Sequence, residues 1–139
     1  MNSFSYLDWP LLVLHESGST YESSEQLDIL LECFNTSFVD NATDFKRIFS
    51  SDKAISGVVL YFNDELENIV KSIRKTNSKI PIFVITEDSL SEIPLQVLKQ
   101  VNLVINIFED TLTFLAGQIE VELERYIESI KPIFFGQLM

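Results

Sequence analysis

Few residues in this chain have types and spacing that could do chemistry, and most of them lie in its first quarter. His15 is the only histidine, and Ser17-Gly18-Ser19-Thr20 follows it directly after the apolar run Leu11–Leu14. A glycine set among hydroxyls offers backbone N–H and side-chain O–H groups to a phosphate. Ser17, Gly18, Ser19 and Thr20 are therefore candidates for holding the phosphate of FMN, in a loop of the form Thr/Ser-x-Thr-Gly-x-Thr. His15 stands where the first hydroxyl of that pattern belongs. The next helix start, a capping box of Ser23 and Gln26, lies further on, so the loop need not sit at a helix N-terminus. Cys33 is the single cysteine. It lies beside the helical stripe Leu27, Leu30, Leu31 and Phe34, where a thiol is expected to be buried and inert. One cysteine excludes an internal disulfide and a cysteine metal cluster, and it fits a reducing cytosol. No pair of carboxylates is spaced for acid–base work. No catalytic residue and no metal ligand is assigned.

The elements that must position these residues are legible from apolar runs and turn signals. Val58–Phe62 reads apolar without alternation, so both its faces are covered, as in the middle of a parallel sheet. Leu11–Leu14, Ile80–Ile85 and Leu103–Phe108 read the same way, and Ser37-Phe38-Val39 is a shorter strand. Between them fall helical stripes. Phe45, Ile48 and Phe49 mark a helix stopping before Ser50-Ser51-Asp52. Leu66, Ile69, Val70 and Ile73 mark another, with Asp64 as its expected N-cap and Glu67 three residues on. Lys71, Arg74 and Lys75 lie on its other side. A short helix opened by Pro94 ends near Gln100. Residues 110–130 form the longest helix, through Leu112, Leu115, Ile119, Leu123, Tyr126, Ile127 and Ile130, with Pro132 expected to stop it.

Five strands alternating with five helices predict an α/β fold. Right-handed crossovers make it a doubly wound, flavodoxin-like or receiver-like parallel sheet of order 2-1-3-4-5, with helices on both faces. Ligands of such sheets bind outside the carboxyl ends of the strands. A phosphorylatable receiver would need clustered acids there for a divalent cation. The strand ends here offer His15-Glu16, Tyr61-Phe62 and Phe108-Glu109 instead, and only Thr86 fits that pattern.

Composition narrows the partners. The 139 residues, 46% hydrophobic, suit one domain with a sizeable core. Ten basic against 21 acidic residues give a net charge of -11. That sign argues against nucleic acid and anionic membranes. No apolar run approaches a membrane span, and the N-terminus lacks a basic signal-peptide start.

The run Leu11 to Leu31, with Leu14-His15, Gly18 and Tyr21, resembles the opening of bacterial ornithine/lysine/arginine decarboxylases. The resemblance continues through Ser56-Gly57-Val58-Val59, Ile80-Pro81-Ile82-Phe83 and Ile105-Asn106-Ile107-Phe108-Glu109. It ends with Tyr126-Ile127 and Ile130-Lys131-Pro132-Ile133-Phe134. What it implies is that family's flavodoxin-like N-terminal wing domain, which carries no catalysis and serves oligomer assembly in the cytoplasm. Residues 1–131 would be the wing, and 132–139 the start of a linker toward a catalytic core that this chain does not include. Pyridoxal phosphate (PLP) would belong to that core, whose Ser-x-His-Lys motif has no counterpart here because His15 is followed by Glu16. The implied partners are that core and neighbouring subunits, and no cofactor is expected in this chain. Some lysine decarboxylases hold a guanosine alarmone through an arginine just ahead of the last wing strand. The matching position here is about Asn102, so that site is not carried over.

The tail supplies interface candidates. Ile133, Phe134, Phe135 and Leu138 are too apolar for a free terminus in water. Two other readings stay open: a stand-alone pseudo-receiver module for signalling, and a flavodoxin-like FMN electron carrier.

Overall fold

Strand β3 (Gly57–Tyr61) is buried at all five positions, as a strand covered on both faces must be. A computed structural model of the chain describes residues 10–15, 34–52, 54–86, 91, 93–106 and 112–136. Around β3 stand β1 (Pro10–Leu14), β2 (Asn35–Val39), β4 (Ile82–Thr86) and β5 (Leu103–Asn106). All neighbours are parallel, and the order is β2-β1-β3-β4-β5, as the alternation of strands and helices predicts.

Alternate residues of each strand face opposite helical layers. Leu12, Leu14, Val58, Leu60, Ile82 and Val84 face one core, which contains Phe45 of helix α1 (Ala42–Ser51) and Leu66, Ile69, Val70 and Ile73 of α2 (Leu66–Thr76). Val97 of the short helix α3 (Leu95–Leu98) completes it. Leu11, Val13, Val59, Tyr61, Phe83, Ile85 and Ile105 face the other core, against Ile119 and Leu123 of α4 (Leu112–Gly136). Each such apolar side chain contributes about 1.5–3 kcal/mol on burial, so the two layers dominate the stability of the domain. Gly57 sets how closely α4 sits. A Cβ there would lie 2.8 Å from Leu11 Cδ2 and 3.1 Å from Leu123 Cδ2.

Several element boundaries differ from the sequence expectation, each for a local reason. Strand β2 starts at Asn35, two residues early, because it pairs with β1 along its whole length despite a polar sequence. Helix α1 runs on through Ser50 and Ser51, where the Ser51 hydroxyl donates to the Ile48 carbonyl, and Asp52 caps it. Asp64 is not the N-cap of α2. That place belongs to Glu65, without a side-chain bond, and Asn63 organises the turn by accepting the Glu65 N–H at 2.8 Å. Pro132 does not stop α4, which continues to Gly136. A proline removes one backbone donor but leaves the following residues free to stay helical. The expected helix of Leu27, Leu30 and Leu31, its capping box at Ser23 and Gln26, Cys33, and residues 107–111 lie outside the described residues.

Candidate functional site

The carboxyl ends of the strands are where this topology would hold a ligand. His15 follows β1 and stacks on Tyr61 at the end of β3, with ring centroids 3.9 Å apart and planes within 4°. The His15 N–H donates to the Val39 carbonyl, which seats the ring over the junction of β1, β2 and β3. An aromatic pair thus stands at the ends of β1 and β3. Thr86 ends β4 fully buried beside Asn106. After β2, Asp40 accepts from the Asn41 amide at 3.0 Å. Asp64 and Glu65 beyond β3 are exposed. Among the described residues no group of three His, Cys, Asp or Glu side chains could hold a metal ion. Ser17, Gly18, Ser19 and Thr20, the candidates for a flavin phosphate, lie outside the described residues.

The opposite end of the sheet carries a polar network that sequence reasoning missed. Arg74 lies on the far side of α2 from the apolar stripe, but it is half-buried and clasps four oxygens. Its Nε donates to Gln100 O at 2.8 Å, and its Nη1 donates to Ile80 O at 2.8 Å and Asn77 O at 3.3 Å. Its Nη2 donates to Asn102 Oδ1 at 3.2 Å. Burial pulls the guanidinium below its ordinary range, because desolvation disfavours the charged form. Asn102 Oδ1 also accepts the Ile82 N–H at 2.9 Å, and Asn102 Nδ2 donates to Glu122 Oε1 at 3.0 Å. Glu122 in turn pairs with Arg125 at 3.0 Å. Asn77, the C-cap of α2, donates through Nδ2 to the Tyr126 hydroxyl at 2.9 Å. One signal for this was present in the sequence. A tyrosine in an apolar helical stripe needs a partner for its hydroxyl.

These contacts fix α4 to the amino ends of β4 and β5, up to Tyr126. The helix then continues for ten residues, Ile127 to Gly136. At 1.5 Å per residue they extend about 15 Å, roughly the length of a whole strand of this sheet. Ile130 is already 37% exposed. Ile133, Phe134 and Phe135 lie on this last stretch of α4, and Leu138 lies outside the described residues.

Residues 21–126 match the family model described as Orn/Lys/Arg decarboxylase, N-terminal domain. The chain belongs to that family. In fold it is similar to lysine decarboxylase A from Pseudomonas aeruginosa (TM-score 0.75, 21% identity) over 93% of this chain and 20% of that one. It is likewise similar to the Francisella novicida lysine decarboxylase LdcF (TM-score 0.71, 19% identity), covering 94% of this chain and 19% of that one. The chain therefore spans about a fifth of the length of the decarboxylases it resembles. A response regulator receiver domain from Clostridium thermocellum shares the fold at TM-score 0.65 and 17% identity, over 89% of this chain and 98% of that one. No curated protein matches the sequence. As the sequence resemblance implied, this is an N-terminal domain of the ornithine/lysine/arginine decarboxylase type on a receiver-like sheet.

The decarboxylases of this family use pyridoxal phosphate, which needs a lysine in an enclosed site. Lys46, Lys71, Lys75, Lys79 and Lys99 are all exposed. None of these five lysines stands in such a site. Nor is any helix among the described residues long and apolar enough to cross a membrane.

Proposed function

We propose that this domain is the non-catalytic wing of a cytoplasmic, PLP-dependent decarboxylase of a basic amino acid, and that its work is protein–protein contact in oligomer assembly. The observation that carries the reading is α4. Ile119 and Leu123 are buried in the core and Tyr126 packs against it, and beyond them the apolar spacing continues in sequence through Ile127, Ile130, Ile133 and Phe134. Apolar residues past the end of their own core stabilise a fold only by meeting another surface. That surface would be the catalytic core of the parent protein or a neighbouring subunit, with Ile133, Phe134, Phe135 and Leu138 as the contacts. The decarboxylation itself, with its Schiff-base lysine, would take place in that core.

Sedimentation of the 139-residue chain beside a chain ending at Lys131 tests the reading. The full chain is expected to self-associate weakly, and the shortened one to be monomeric. Equal, monomeric behaviour of both at high concentration would mean that the tail makes no contact. A parallel titration with FMN and with pyridoxal phosphate should show no saturable change in absorbance, and tight binding of either would overturn the non-catalytic reading.

A free-standing pseudo-receiver module is the second reading. It is favoured by the near-complete coverage of receiver chains and by the His15–Tyr61 stack where a receiver would gather its acids. The reading frame beyond Met139 separates the two, since a continuation bearing Ser-x-His-Lys supports the wing.

A further inference from the structure

Helix α4 carries a second apolar stripe on the side away from the sheet. At 100° per residue, Phe114, Gly117 and Val121 lie opposite Ile119 and Leu123, the residues spent on the core. Phe114 is 46% exposed and Val121 39%, the latter beside a shallow depression shared with Glu124, Arg125, Glu128 and Ser129. Gly117, between them, has nothing within 4 Å of where a Cβ would stand, so another backbone can approach closely there. The charge along this stripe is one-sided. Arg125 is already paired with Glu122 on its own helix. Asp44–Arg47, Glu67–Lys71 and Glu122–Arg125 are ion pairs among the described residues, and none of them takes up Glu120 or Glu124, which flank the stripe.

We propose that this outer face of α4 is a docking surface for a basic amphipathic helix. Phe114 and Val121 would be its apolar contacts, Gly117 the point of closest approach, and Glu120 and Glu124 the partners of flanking lysines or arginines. The inference rests on reading the domain as a protein-contact module, and it adds a surface distinct from the C-terminal end of α4. Charge selects the occupant. A second copy brings the same carboxylates and a net charge of -11, and like charges set face to face oppose association. A cationic helix gains from both the apolar stripe and the carboxylates beside it.

The test uses the full 139-residue chain and a fluorescently labelled amphipathic Leu/Lys helical peptide, read by anisotropy. Glu120→Lys with Glu124→Lys should weaken binding at least about tenfold, and Val121→Ser at least about threefold, as expected for a charge-steered contact with an apolar centre. The charge-matched control, Asp64→Lys with Glu65→Lys on the exposed turn before α2, should change affinity by no more than about twofold. Equal weakening by both pairs would reduce the effect to the net charge of the chain and overturn the proposal. So would an unaffected Val121→Ser variant, or no saturable binding. Self-association abolished by Val121→Ser would hand the face to a second copy and also overturn it. A failed peptide titration with an intact tail effect in sedimentation would sink this surface alone. A silent tail with a positive titration would sink the assembly reading of the C-terminal end.

Discussion

Asn77 Nδ2 donates a 2.9 Å hydrogen bond to the hydroxyl of Tyr126, which joins the C-cap of α2 to the last sheet-packed turn of α4. The same Asn77 holds the turn into β4, where its Oδ1 accepts from the N–H groups of Lys79 and Ile80 at 2.9 and 3.0 Å. One asparagine therefore sets both the start of β4 and the exit direction of the long helix. Tyr126→Phe removes one bond and should cost about 1 kcal/mol, whereas Asn77→Ala strips three and should cost about 2–3 kcal/mol. Urea denaturation of the two variants decides the matter. Equal costs would mean that the helix contact, and not the turn, carries the energy.

Arg74 offers a sharper case, because its guanidinium reaches Gln100 O, Asn77 O, Ile80 O and Asn102 Oδ1 at once. A lysine at this position keeps the charge but cannot span that arc of acceptors. Arg74→Lys is expected to destabilise the domain by about 2–3 kcal/mol, and Lys75→Ala on the exposed side by less than about 0.5. A lysine variant as stable as the parent would show that the half-buried carbonyls find water instead.

Val59 and Gly57 test the centre of the sheet from opposite directions. Val59 is 1% exposed in β3, so Val59→Asp places an unpaired charge between two apolar layers and should unfold the chain or cost several kcal/mol. A loss under about 1 kcal/mol would contradict the central position of β3. At Gly57 the added atoms of Gly57→Val would press on Leu11 and Leu123, which ties the strand to α4. Overpacking of this kind should cost about 1–3 kcal/mol. It should be relieved in part by Leu123→Ala in the same chain, which a double-mutant cycle measures.

The parts of this domain that sequence makes plain are those where a physical rule acts locally. Val58–Tyr61 and Ile82–Ile85 have no polar alternation, so a two-sided burial follows from the residues themselves, and the strand order follows from handedness. Helix ends were harder. Asp64 has the side chain of a cap, yet Asn63 takes the turn by accepting the Glu65 N–H, and two adjacent polar side chains of similar kind do not say which of them will. Pro132 bears the usual mark of a helix end, but a helix can lose one donor and run on. The Arg74–Asn102–Glu122 network joins residues 28 and 20 positions apart, and no local pattern announces it. The interface candidates Ile133, Phe134 and Phe135 were legible as apolar excess, while the direction in which α4 carries them needed the fold.

Asn41 and Asp44 make the last prediction, since they cap α1 reciprocally. Asn41 Oδ1 accepts the Asp44 N–H at 2.7 Å, and Asn41 Nδ2 donates to Asp44 Oδ2 at 3.0 Å. The asparagine amide, with Arg47 second, holds the Asp44 carboxyl below its ordinary value of 3.8. A carboxyl depressed in the folded state contributes stability that is present above that value and is lost as the pH falls through the lower, folded value. Asn41→Ala removes both the cap and the main cause of the shift. It should cost about 1 kcal/mol at neutral pH, as the loss of a helix N-cap does. The difference between variant and parent should shrink as the pH falls below 3.8 and through the lower folded value, where Asp44 becomes protonated in the parent as well. An NMR titration of the Asp44 carboxyl should show its midpoint rising toward 3.8 in the variant. An unchanged midpoint would assign the depression to Arg47 instead, and a stability difference independent of pH would leave Asn41 a cap for the backbone only.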